Sequence, residues 1–228
     1  MPSTGLPDHQ SIGMRAAGWS LVFATALLVA QLLDGVTGGW VYVRSDYQAG
    51  AWWQLLSAQW VHFGLMHATA NAVAFAFLFF VFQNRVPRWL QWLALWGGYV
   101  AVAVAIGLDP NCAFYAGASG ALHGLLAGSA LALLLFNGTE TDGGDAVGRF
   151  SKRRMRALGL ATLIGLAIKL MVQRPNGVPD LGWLGFASYT PAHEAGVLGG
   201  LIAVLMARLV YVPWFIEGER RAKLHDQQ

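Results

Sequence analysis

The sequence predicts an all-α polytopic membrane protein: six transmembrane helices and a folded first outer loop. Three observations predict it. Of 228 residues, 56% are hydrophobic and 12% are charged, where an ordinary soluble domain carries about 25% charged residues. Apolar runs approaching the roughly 20 residues that a span needs recur along the chain. The basic residues cluster between those runs with a strong bias to one side, as the positive-inside rule requires.

The first span is expected from Ala16 to Leu33. Arg15 precedes it, so a cleaved signal peptide is an alternative. A retained span is preferred, because no convincing small-residue cleavage site follows and five more spans come after it. These are expected at His67–Phe82, Trp89–Ile106, Ser119–Phe136, Ala157–Val172 and His193–Tyr211. The chain thus divides into a cytoplasmic tail (1–15), a membrane domain (16–211) and a basic cytoplasmic tail (212–228).

Arg15, Arg85, Arg88, Arg149, Lys152, Arg153, Arg154, Arg156, Arg220, Arg221 and Lys223 fall on one side of this arrangement, and Arg44 and Arg174 on the other. That bias places both termini in the cytoplasm. It also explains the net charge of +3 without a nucleic-acid partner. Lys169 and Arg208 lie near span ends and can snorkel. The loop from Asp34 to Met66 holds Trp40, Tyr42, Tyr47, Trp52, Trp53 and Trp60, and reads as a folded cap in the outer headgroup region. Asn137–Gly148 reads as a flexible cytoplasmic loop and Gln173–Pro191 as an irregular outer one. A single cysteine, Cys112, excludes an internal disulfide framework and a cysteine-ligated zinc site.

This topology brings Ser119, His193 and His67 to the outer ends of their helices. Serine needs a base to become a nucleophile, and His193 is the candidate. Gly120, Gly124 and Gly128 recur every fourth residue on span four, and Gly196 and Gly200 do so on span six. Small-xxx-small faces let membrane helices touch backbone to backbone, close enough for a short serine to reach an imidazole. The alternative is that these glycines serve packing alone and Ser119 caps its helix.

An attacked carbonyl needs donors for its developing charge. His62-x4-His67-x3-Asn71 can supply them, with His67 and Asn71 on one helical face. Asn71 interrupts an apolar run, where a polar residue marks function or an interhelical hydrogen bond. A zinc reading of the histidines is weak, since no Glu completes an H-E-x-x-H arrangement. His123 lies one turn below Ser119. It can act as a second base, or pack beside His193 and orient its ring. No Asp lies a turn from either catalytic candidate, so a Ser–His dyad is favoured over a triad.

Taken together, His62-x4-His67-x3-Asn71, Gly117-x-Ser119-Gly120 and Ala192-His193-x2-Gly196-x3-Gly200 resemble the rhomboid family of intramembrane serine proteases, over about Trp52 to Val204. The resemblance implies a rhomboid-like bundle and no cofactor or metal. It implies Ser119 as nucleophile, His193 as base, and His67, Asn71 and the Ser119 amide as oxyanion site, with His62, His123, Gly117 and Gly120 in support. Its implied partners are membrane-anchored proteins bearing a transmembrane helix, together with the lipid bilayer.

Two positions depart from the family pattern. Trp53-Gln54 stands where rhomboids often carry Trp-Arg, so that arginine's loop-anchoring contacts are not available. His123 stands where many have a tyrosine. The run from Tyr115 to Gly124 is similar to the rhombosortase branch, which is associated with bacterial proteins bearing a C-terminal Gly-Gly motif, a membrane helix and a basic tail. That branch implies a bacterial inner membrane and a site opening to the periplasm.

Other function classes fit less well. A catalytically inactive rhomboid-like chaperone or trafficking factor is the main alternative; such proteins typically lack one dyad member. A transporter predicts paired polar residues near the bilayer midplane and inverted repeats, and neither is evident.

Overall fold

The computed structural model describes residues 21–22, 24–35, 38–83, 85–136, 146–173 and 189–225. The expected N-terminal tail, nearly all of the loop beginning at Asn137, and most of the segment Gln173–Pro191 lie outside the described residues. Six apolar helices follow one another. They are α1 (Ala24–Gly35), α4 (Leu65–Phe82), α5 (Arg88–Leu108), α6 (Ser119–Leu135), α7 (Ala146–Gln173) and α8 (Thr190–His225). Between α1 and α4 lie the strand β1 (Tyr42–Val43) and two short helices, α2 (Arg44–Gln48) and α3 (Gln54–Ser57); β2 (Phe114–Tyr115) precedes α6.

Helices α4 and α5, the stretch Lys152–Gln173 of α7 and the stretch Thr190–Val210 of α8 are long and apolar enough to cross a membrane. The chain is a multi-pass membrane protein. Its surface is accordingly apolar: α4 exposes Val73, Phe77 and Phe80, α7 exposes Leu160, Ile164 and Ile168, and α8 exposes Leu198, Ile202, Leu205 and Leu209. Each set recurs every three or four residues and forms one stripe.

Two helix ends differ from expectation. Helix α7 starts at Ala146 rather than Ala157 and takes in the basic cluster. Helix α8 continues past Tyr211 to His225. Hydropathy marks only where lipid begins and ends, whereas Ala, Arg, Lys and Glu continue a helix readily into water.

Helix α6 is the axis of the bundle. Gly120, Ala121, Leu122, Gly124, Leu125, Ala127, Gly128 and Ala130 are among its buried residues. Small side chains let two neighbours close on it at once. A Cβ on Gly124 would lie 2.7 Å from both the Gly196 carbonyl of α8 and the Gly98 Cα of α5, and one on Gly128 would lie 2.8 Å from the Gly200 carbonyl. Helices α5 and α8 meet the same way, with a Gly97 Cβ falling 2.5 Å from the Gly199 carbonyl. The glycine contact expected between two helices therefore joins three, with Gly97 and Gly98 as the members that spacing did not single out.

The first loop is folded onto this centre. Strand β1 pairs antiparallel with β2, Tyr42 opposite Tyr115 and Val43 opposite Phe114. Arg44 donates through Nε to the Cys112 carbonyl at 3.0 Å and through Nη2 to the Ile106 carbonyl at 2.9 Å, and also to the Asp109 carbonyl. A cation on the last carbonyls of α5 matches the negative end of its dipole. Gln54, at the position where an arginine was expected, is buried and accepts from the Val43 N–H through Oε1 at 3.0 Å. Arg44 and Gln54 thus anchor the loop from different positions. Beneath it, Tyr42, Ala58, Val102, Ile106, Cys112, Tyr115 and Ala192 form one apolar cluster.

Candidate active site

Ser119 is the first residue of α6. Tyr115 holds the approach to it: its hydroxyl donates to the Gly117 carbonyl at 2.9 Å, and burial pushes its pKa above the usual phenol value. Gly117 has a φ of +126°, a region that favours glycine. A Cβ there would also fall 2.9 Å from His67 Cε1. Gly117 is therefore required twice, for the turn into α6 and for the space that the His67 ring fills.

His193, in the first turn of α8, is buried beside the half-buried serine. Ser119 Oγ and His193 Nε2 lie 2.9 Å apart, hydrogen-bond reach for a nucleophile and its base. Helix approach at Gly120 makes this possible, since a Cβ on Gly120 would sit 2.8 Å from the Ala192 carbonyl. His193 Nδ1 is buried and has no hydrogen-bond partner among the described residues. Among the described residues no carboxylate steadies the ring. It stacks instead on His123, with ring centroids 4.2 Å apart and planes at 17°. His123 Nδ1 lies 2.6 Å from the Ser119 carbonyl oxygen, and its Nε2 lies 2.7 Å from Lys169 Nζ. The Lys169 ammonium also meets the Gln173 side chain, with Nζ 2.9 Å from Oε1. The sequence reading missed Lys169 as a neighbour of the site. A lone cation in an apolar helix was the available signal.

A second group assembles around His62. Its Nε2 accepts from the Ala118 N–H at 3.3 Å, and its backbone N–H donates to Gln31 Oε1 of α1 at 2.6 Å. The His62 and His67 rings meet edge to face at 4.9 Å. Burial, and then the nearby His67, lower the His62 pKa to about 3. Asn71 is buried one turn below His67, and its amide nitrogen donates to the His67 carbonyl at 3.1 Å. The structure thus joins Ser119, His193 and His123 directly. It sets His62, His67 and Gly117 beside them, and it turns the Asn71 amide nitrogen onto its own helix. Among the described residues no three His, Cys, Asp or Glu side chains cluster to hold a metal.

The amide of Ser119 adds the last chemical element. It sits at the start of α6, where the first N–H groups have no partner within the helix and the dipole is positive. Such a terminus is suited to a developing oxyanion.

A family model described as Rhomboid domain matches residues 49–211, most of the chain and nearly all of the bundle. The chain belongs to the rhomboid family. Rhomboids are an intramembrane-protease type of family in which some members are inactive. No curated protein and no solved structure gives a significant match. The matched stretch of this rhomboid includes the first loop from Ala49 onward and all the site residues named above.

Proposed function

We propose that this rhomboid is an active intramembrane serine endopeptidase working through a Ser119–His193 dyad. The 2.9 Å contact between Ser119 Oγ and His193 Nε2 carries the reading. An inactive rhomboid-like chaperone has no need of that pair in register. His193 Nε2 takes the hydroxyl proton as Oγ attacks the scissile carbonyl. The tetrahedral oxyanion is met by the Ser119 N–H, with His67 and the second amide hydrogen of Asn71 as the further donors. His193 then passes its proton to the leaving amine, and an acyl-enzyme remains. Water, deprotonated by the same histidine, releases the product.

The substrate is a membrane-anchored protein whose transmembrane helix unwinds at its outer end to present a peptide bond. Glycine, poor in helix propensity, eases that unwinding. The similarity of the run Tyr115 to Gly124 to the rhombosortase branch supports the removal of C-terminal Gly-Gly-type anchors as its role. On this reading the protein sits in a bacterial inner membrane with tails 1–15 and 212–228 cytoplasmic. The membrane domain 16–211 then opens its site to the periplasmic side, in keeping with the eleven-to-two bias of basic residues.

Ser119→Ala, expressed at the normal level, abolishes cleavage of a co-expressed substrate. A fluorophosphonate labels the wild type and does not label His193→Ala. Cleavage that persists in Ser119→Ala sinks the dyad. A strain lacking this chain retains the tails of Gly-Gly-anchored proteins; unchanged processing removes the branch and leaves the protease.

A further inference from the structure

Two histidines lie within reach of one serine, and the bonds around them divide their roles. His123 Nδ1 faces the Ser119 carbonyl oxygen at 2.6 Å. A carbonyl only accepts, so Nδ1 carries a proton. His123 Nε2 faces the Lys169 ammonium at 2.7 Å. An ammonium only donates, so Nε2 presents a lone pair. Both conditions are met by one form of the ring, the neutral imidazole protonated at Nδ1. A doubly protonated ring would point an N–H at an ammonium.

We propose that Lys169 is a positioning residue of the active site. It holds His123 neutral and Nδ1-protonated, and so reserves the proton-accepting role for His193. The inference rests on the Ser119–His193 reading and deepens it. A neutral His123 stacked at 4.2 Å presents a π face to the imidazolium that His193 becomes, which is attractive; a cationic His123 would repel it. Without Lys169, His123 Nε2 is free to take a proton or exchange tautomer, and its Nδ1–H bond to the serine backbone loosens. Because Lys169 stands on α7, while the serine and both histidines stand on α6 and α8, the arrangement also ties the outer half of α7 to the dyad.

The experiment uses full-length protein in nanodiscs with 15N-imidazole-labelled histidine. The His123 signals are assigned by their loss in His123→Asn, and fluorophosphonate labelling rates are measured alongside. The wild type shows His123 neutral with its proton on Nδ1. Lys169→Met loses that signature and labels about tenfold more slowly, the scale of one charge-assisted hydrogen bond. Lys169→Arg, which still donates, restores both. Lys169→Gln, a neutral donor, serves where Lys169→Met does not fold, and keeps the tautomer better than it keeps the rate. A wild-type His123 protonated on Nε2, or a Lys169→Met variant that slows labelling while His123 keeps its signature, overturns the proposal. So does a Lys169→Met variant that changes neither. Absence of labelling in the wild type removes the Ser119 reading, while the imidazole spectra still decide the hold of Lys169 on His123.

Discussion

Helices α5, α6 and α8 meet through backbone, glycine against glycine, whereas α4 meets the bundle through side chains. Phe75 and Phe79 of α4 pack on Leu95, Leu122 and Leu125, and Leu65, Val73, Phe77 and Phe80 of the same helix are exposed. Helix α7 is divided along its length. At Gly159 a Cβ would fall 2.6 Å from the Ala130 carbonyl of α6, yet at Gly165 nothing lies within 4 Å. Within the apolar windows, 44% of α5 is buried but only 11% of α7. The lesson concerns what each contact tolerates. Backbone contacts at Gly120, Gly124, Gly196 and Gly200 hold the helices that carry Ser119 and His193 and accept no added atom. Side-chain contacts leave α4 more room to shift, and beyond Gly159 α7 is tied to the centre by the side chain of Lys169 on His123.

The largest expected effect tests the centre. In Gly196→Leu the new Cβ strikes the Gly120 backbone, which no rotamer change relieves. Overpacking of this kind costs on the order of 3 kcal/mol or more, and the dyad loses register. Loss of folded protein in a denaturant titration and loss of fluorophosphonate labelling are both expected; normal stability shows that the helices are not held by that contact.

A smaller effect tests the seam at His62, between the loop, α1 and α6. Its pKa is lowered in the folded state to about 3, chiefly by burial, against about 6.5 in the unfolded chain. Between these values the unfolded state binds the extra proton. The contribution of His62 is therefore fully present above about pH 6.5 and is lost progressively as pH falls toward 3. At pH 4 the loss is on the order of 3 kcal/mol. Replacing His62 with Gln flattens the fall of stability below pH 6.5; an unchanged acid slope shows that other groups set it.

The smallest effect is expected on α7. Gly165→Leu enters open space and leaves stability within about 0.5 kcal/mol. A loss as large as that of Gly196→Leu, read in the same titration, erases the distinction between centre and periphery.

Much of this was legible in the chain. Apolar runs revealed the spans, because lipid imposes one requirement on every helix. The four-residue glycine period revealed which faces touch. Ser119, His193 and His67 could be placed together because topology alone brings three helix ends to one side. The remainder depended on reach and angle. Arg44 lies in a loop whose path no periodicity describes, and only the fold carries its side chain to the end of α5. The reach of Lys169 to His123 was not legible because span five had no stated neighbour. Asn71 gives one of its two amide hydrogens to the preceding turn, a bond that spacing alone does not show. Gly97 and Gly98 were overlooked as an adjacent pair, although adjacency is what lets one helix meet two others.

The pairing of β1 with β2 has a consequence for how the protein is made. Tyr42 meets Tyr115 and Arg44 meets the carbonyl of Cys112, partners 68 residues apart for Arg44. During synthesis the loop leaves the ribosome before α4, α5 or β2 exists, so its strand and its guanidinium have nothing to bind. The cap can close only after the third apolar helix, α5, and the β2 strand that follows it have emerged. The same closure sets the strand that leads into Ser119. A nascent chain therefore has no assembled Ser119–His193 pair until α8 has followed, when most of its membrane domain is in place.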